Sequence, residues 1–167
     1  MRTRVGVATC GVILLAGCAA GPNPVTDAAA EEAAIRARSV ATVEAENAMD
    51  FDRVVTFFEE NAAFQMANAP EIRGRAAIRK LYDDFQAMGV TGIESTIADV
   101  QVAASGDLAF ERGVNHLRIQ TPGGEVTDVG KYLIVWRKTD GVWSIAALAA
   151  SSDAPPPQPP AAAAPAS

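Results

Sequence analysis

Between residues 93 and 150 the chain is written in strand grammar. β-Branched and aromatic residues alternate with polar ones, broken by three turn signals. These are Ser105-Gly106-Asp107, Thr121-Pro122-Gly123-Gly124 and Thr139-Asp140-Gly141. Short turns join antiparallel neighbours, so the pattern predicts a meander over residues 93–102, 108–120, 126–138 and 142–150. Upstream the grammar is helical. Residues 27–49 hold strong helix formers without an internal Gly or Pro. Ile35, Ser39, Thr42 or Val43, Glu46 and Met49 fall on one stripe, which is only partly apolar. Asp50 reads as the N-cap of a second short helix carrying Val54, Val55, Phe57 and Phe58. Residues 62–66 read as a short strand and Asn68-Ala69-Pro70 as a turn. Residues 72–75 lead into a third helix over 76–88, with Ile78, Leu81, Tyr82 and Phe85 as its stripe. Helices first and a meander after is an α+β layout. Three helices on a strongly curved antiparallel sheet leave a cone with an open end.

The opening residues bear on the compartment. Arg2 and Arg4 form a basic head, and residues 5–15 are apolar and uncharged. That is the layout of a secretory signal, too short to span a bilayer as a helix. Leu15-Ala16-Gly17-Cys18 resembles the bacterial lipobox, in which the cysteine is lipidated and becomes the first mature residue. The other cysteine, Cys10, would leave with the signal. An odd thiol in an exported protein is a liability unless it is used, and acylation of Cys18 uses it. The expectation is an exported protein held to the bilayer by acyl chains on Cys18. Ala19, standing where retained lipoproteins carry Asp, resembles the pattern for the periplasmic face of a Gram-negative outer membrane. An ordinary signal peptide with an incidental cysteine is the alternative. The expected division is a signal peptide over 1–17, a tether over 18–27, one domain over 28–153 and a disordered tail over 154–167. That tail contains only Ala, Pro, Gln and Ser and has no large apolar side chain to bury.

Charge and composition exclude several function classes. The formal charge is −6, and loss of Arg2 and Arg4 takes it to −8. An acidic chain without basic clusters is a poor nucleic-acid partner. One histidine and no close acidic triplet make no convincing metal shell. No Gly-rich phosphate loop follows a strand, so no cofactor is expected.

Three segments together carry a family resemblance. They are residues 72–82 (Ile-Arg-Gly-Arg-Ala-Ala-Ile-Arg-Lys-Leu-Tyr), residues 106–113 (Gly-Asp-Leu-Ala-Phe-Glu-Arg-Gly), and residues 130–138 with 140–145. With the Asp50-Phe51-Asp52 break before them, they resemble the NTF2-like superfamily. The branch they resemble most is the SnoaL-like, ketosteroid-isomerase-like domains of the DUF4440 type. The resemblance implies a cone-shaped fold, and it implies a homodimer. It does not select a reaction, because one fold hosts many activities. In ketosteroid isomerases a tyrosine on the first helix donates a hydrogen bond, and that position falls on Thr42. The general-base aspartate falls on Met66. The oxyanion-hole acid falls near Lys131 or Tyr132. Only the helix-three tyrosine matches, at Tyr82. Proton abstraction beside a carbonyl needs a base and a donor for the developing oxyanion, and the usual positions hold neither.

Two other side chains are catalytic candidates. Glu111 shares a strand face with Ala109, Gly113, Asn115 and Leu117. It reads either as a base with raised pKa or as a rim partner of Lys131 or an arginine. His116, the lone histidine, alternates with Arg112, Val114 and Arg118, a face that suggests solvent. Asp128 and Lys131 fall on opposite faces of their strand. Thr42, Phe64, Met66, Tyr82 and Tyr132 are the expected pocket residues, and Met66 makes that pocket greasier. The leading expectation is therefore a non-catalytic module that binds a small apolar ligand or a partner. The alternatives are an isomerase-like or cyclase-like enzyme using Glu111 or His116, and a homodimeric interaction module with a vestigial pocket. An ionisable group with a strongly shifted pKa inside the pocket would favour the enzyme.

Overall fold

The structure is a computed structural model and describes residues 27–155. The expected signal segment, the lipidation site Cys18 with most of its tether, and the tail beyond Pro155 lie outside the described residues.

Asp27 caps α1 (Ala28–Asn47) by accepting from the Ala30 backbone N at 3.1 Å. Met49, at φ 55°, breaks the helical path. Asp50 then caps α2 (Phe51–Val55), accepting from the Arg53 N–H at 3.1 Å. Phe57 and Phe58, read from sequence as helical, lie outside α2, and Phe58 opens β1 (Phe58–Met66). The reason is tertiary: Phe58 is fully buried and pairs with Ile145 in the sheet, which outweighs another turn of a short helix. Ile72 and Arg73 form a two-residue strand, β2 (Ile72–Arg73), beside Phe64 and Ala63. From sequence this stretch looked like a mere lead-in. Gly74 (φ 85°) turns the chain into α3 (Arg75–Ala87), which buries Ile78, Leu81 and Tyr82.

The meander follows as β3 (Val90–Val102), β4 (Leu108–Thr121), β5 (Gly124–Thr139) and β6 (Val142–Ser152). Asp140 and Gly141, at φ 51° and 79°, make the two-residue turn between β5 and β6. This left-handed pair matches the twist of the strands it joins. The sheet order is β2-β1-β6-β5-β4-β3. β3 to β6 are antiparallel, but β1 runs parallel to β6. The sheet is therefore mixed, not wholly antiparallel as the alternation alone suggested. α3 carries the chain to the far edge, and the meander returns β6 beside β1 in the same direction.

Trp136, Ile145, Phe58, Val54, Ile78 and Ile35 are fully buried and form the centre of the core. α1 is tied to β3 by Asn47, whose amide donates to the Ile93 carbonyl at 2.8 Å and accepts from the Ile93 N–H at 3.0 Å. At the other end of α1, Glu31 accepts from Lys138 at 2.6 Å and from the Trp143 indole at 2.7 Å. α3 packs against α2, β1 and β2. The helices thus stand off the concave face of the sheet and leave a space between.

Candidate functional site: a pocket inside the cone

That space is a cavity of about 760 Å³, a size that encloses a small organic molecule. α1 contributes Ser39, Thr42, Val43 and Glu46 to its wall, and Met49, just past the helix end, adds another side chain. This is the stripe whose mixed polarity stood out in the sequence: it faces a cavity, so it need not be wholly apolar. α3 adds Tyr82 and Phe85, and the strands add Phe64, Met66, Tyr132, Ile134 and Leu148. All five expected pocket residues, Thr42, Phe64, Met66, Tyr82 and Tyr132, line the cavity. Ala154 and Pro155 also border it, so the wall continues past residue 153. The Thr42 hydroxyl is engaged within its own helix, donating to the Arg38 carbonyl at 2.9 Å.

Glu111 closes the bottom of the cone. It is wholly buried and accepts three hydrogen bonds from neutral donors. Ser39 Oγ donates at 2.8 Å, Tyr132 Oη at 2.9 Å and Trp136 Nε1 at 3.1 Å. Gly113 makes this possible: a Cβ there would stand 2.6 Å from the Tyr132 hydroxyl. Without it the ring lies across β4 and reaches Glu111. The rim ion pair considered for Glu111 does not form. Lys131 points outward to Asp153, and Glu111 lies opposite Ile134 on β5. As a catalyst Glu111 is badly placed, sealed behind Ser39, Tyr132 and Trp136. Burial first, and Glu111 beside it second, push the Tyr132 hydroxyl well above its ordinary pKa, so it stays a donor.

Glu46, half-buried on the last turn of α1, does face the cavity. Tyr82 Oη donates to its carboxylate at 2.5 Å. Phe51 stacks on Tyr82 at 5.4 Å and Phe85 meets its ring edge-on at 6.1 Å, which fixes the phenol. Among the described residues no cation pairs with Glu46. Burial therefore pushes its carboxyl up to about 7, and the Tyr82 hydrogen bond holds it back from rising further. Burial, then the nearness of Glu46, raises Tyr82 well above the ordinary tyrosine range. The pair is a carboxyl that ionises near neutrality beside a phenol that does not. Sequence reading passed over Glu46. The available signal was an acid on the partly apolar stripe of the first helix.

His116 is exposed and pairs with Glu94 and Val129 on the outer side of the sheet. It does not reach the cavity, and the alternative that made it a base is corrected on that ground. Asp128 lines the cavity and accepts from Ser152 Oγ at 2.6 Å. Lys131, on the opposite face, does not line it. Among the described residues no cluster of three His, Cys, Asp or Glu side chains is placed to hold a metal.

Comparison with known proteins agrees with this architecture. A ketosteroid isomerase-like protein from Erwinia carotovora atroseptica superposes with a TM-score of 0.67 at 23% identity, over 75% of this chain and 98% of its own. A protein of unknown function from Mycobacterium tuberculosis gives a TM-score of 0.63 at 26% identity, over 74% of this chain and 72% of its own. Hexachlorocyclohexane dehydrochlorinase LinA-type3 from Novosphingobium barchaimii gives 0.64 at 14% identity, over 75% of this chain and 88% of its own. No curated protein sequence matches. The SnoaL-like domain model matches residues 40–145, which takes in the C-terminal part of α1, all of α2 and α3, and the sheet as far as the start of β6. The chain belongs to the SnoaL-like domain family and has the NTF2-like fold.

Proposed function

We propose that this domain holds a small, largely apolar molecule in the cone and moves a proton on it, with Glu46 as the acid–base group. The observation that carries the reading is the placement of Glu46: a carboxyl in the wall of a largely apolar cavity, bonded among the described residues by a phenol and by no cation. A base is most effective when its pKa lies near the working pH, and burial brings Glu46 there. Tyr82 holds the carboxylate in one orientation. Similar folds occur in a dehydrochlorinase and a ketosteroid isomerase-like protein, but identities at that level speak to the fold alone.

The test uses β-tetralone, a rigid apolar ketone with acidic C–H bonds beside its carbonyl. In deuterium oxide the protein should speed the loss of those C–H signals in the proton NMR spectrum. The rate should rise as pH passes through about 7, as the base form of Glu46 appears. Thermal stabilisation by β-tetralone without any exchange would favour the second reading, a binding module without catalysis. That reading has Met66 in its favour, an apolar side chain where isomerases keep their base.

The membrane anchor belongs to the same proposal. Acylation of Cys18 would keep the cone on a membrane surface, where apolar molecules collect. Intact mass of the protein made in a bacterial host should carry added acyl chains, and Cys18→Ala should lack them. An unacylated wild-type chain would remove this part of the proposal.

A further inference from the structure

Asn115 stands on the inward side of β4, between Gly113 and Leu117, and lines the cavity. Its side-chain carbonyl oxygen is buried, and among the described residues no donor reaches it. Leaving a buried carbonyl unpaired costs on the order of 1–3 kcal/mol. An apolar side chain of the same size would avoid that cost, so the polarity calls for a partner from elsewhere. The strands on either side do not supply one. Across β5 the paired residue is Gly130, and across β3 it is Ser95. A Cβ on Gly130 would stand 2.9 Å from the Asn115 oxygen. That space is taken by Asn115 itself and by the Ser151 carbonyl oxygen, 1.9 Å from where the Cβ would stand, so glycine at 130 is what lets Asn115 lie against β5 in the cavity wall.

Asn115 shares its cavity with the acid–base pair, Glu46 and Tyr82. α1 is tied to Ile93 immediately after Glu46. Ile93 is two residues along β3 from Ser95, the partner of Asn115. Two residues along and one strand across puts Ile93 on the order of 8 Å from Asn115 by ordinary strand dimensions. The cavity of about 760 Å³ has room for a fused-ring body between Asn115 and Glu46. The rest of the wall between them is mostly apolar, with Ile93, Leu117 and Ile134 prominent.

We propose that Asn115 is the specificity-determining contact of the pocket. Its carbonyl accepts a hydrogen bond from a hydroxyl, or another donor, at one end of a fused-ring-sized apolar ligand whose body extends toward Glu46. This rests on the reading that the cavity takes a small molecule, and it adds the ligand's chemistry: an apolar alcohol or phenol, not a bare hydrocarbon or an ether. A site that bonds a ligand hydroxyl discriminates strongly against an analogue lacking it, because its own polar group is then left unpaired.

The test compares two probes of one shape, β-naphthol, which has a donor, and β-naphthyl methyl ether, which has none. Dissociation constants are measured near pH 6 by calorimetry for the wild type, Asn115→Leu, Asn115→Asp and Glu46→Gln. The wild type should prefer naphthol by roughly 10-fold. Asn115→Leu should lose that preference by weakening naphthol binding alone. Asn115→Asp, still an acceptor, should keep it, and so should Glu46→Gln. If Asn115→Leu does not fold, Asn115→Ala takes its place, since it also removes the acceptor. Equal binding of the probes, a preference for the ether, or a preference that survives in Asn115→Leu would overturn the proposal while leaving the pocket reading intact. Binding of neither probe to the wild type would overturn both.

Discussion

Glu46→Gln should melt higher than the wild type near pH 8 and nearly level with it near pH 4.5, while losing proton transfer. The sign follows from linkage. In the folded protein the Glu46 carboxyl ionises near 7, against an ordinary value of 4.5. Between those values the folded state binds more protons than the unfolded one, so stability falls as pH rises through this window. Above about pH 7 the loss is complete. It corresponds to roughly 3 kcal/mol, since each pKa unit is worth about 1.4 kcal/mol. Glutamine mimics the neutral acid and can still accept from Tyr82, but it never carries the charge. The variant should therefore gain about 10 °C in melting temperature near pH 8. Its β-tetralone exchange should drop by roughly 100-fold or more. A side chain that lowers stability at working pH and supports turnover is what a stability–activity trade-off looks like at one position. Melting curves at both pH values, with exchange rates beside them, read both halves.

Glu111→Ala should be the most damaging single change in the cone. It leaves three buried donors, the Ser39 and Tyr132 hydroxyls and the Trp136 indole N–H, without their acceptor. It also opens a void where a wholly buried side chain stood. Together these should cost roughly 4 kcal/mol or more, read by urea unfolding. Glu111→Gln should cost only about 1 kcal/mol. The Ser39 and Tyr132 hydroxyls can rotate to accept from the new amide, and Trp136 can keep the carbonyl. If both variants lose the same stability, the hydrogen bonds to Glu111 are not what holds the bottom of the cone. Both variants separate Glu111 from Glu46: one carboxyl serves structure, the other is placed for chemistry.

Periodicity and turn chemistry carried most of the fold. The meander and its Asp140-Gly141 turn were visible because alternation and left-handed turn residues are local signals. The parallel pairing of β1 with β6 was not visible, since it joins residues as far apart as Phe58 and Ile145 and no local pattern reports it. The same contact explains Phe58, which reads as helical by neighbourhood and folds as strand. Face assignment from alternation placed His116 outside and Glu111 inside. It could not say whether Glu111 met a cation or a ring of neutral donors, because Ser39 lies 72 residues away in sequence. Glu46 was hidden for a related reason. Tyr82 reaches it from another helix, and the stripe that carries Glu46 shows only mixed polarity until the cavity beside it is seen. Family positions pointed to Met66 and Thr42, where the expected acid and tyrosine are missing. The carboxyl paired with Tyr82 is on α1 instead, at Glu46.

The most direct test of the account is the titration of Glu46 itself. Carbon-13 NMR of the side-chain carboxyls, with Glu46→Gln to assign the resonance, follows its ionisation against pH. The account predicts a midpoint near 7, and an upward movement in Tyr82→Phe, where the hydrogen bond that steadies the carboxylate is gone. A midpoint near the ordinary 4.5 would contradict it: Glu46 would then be a solvated acid at the mouth of an apolar pocket, and the cone would be a place for binding and not for proton transfer.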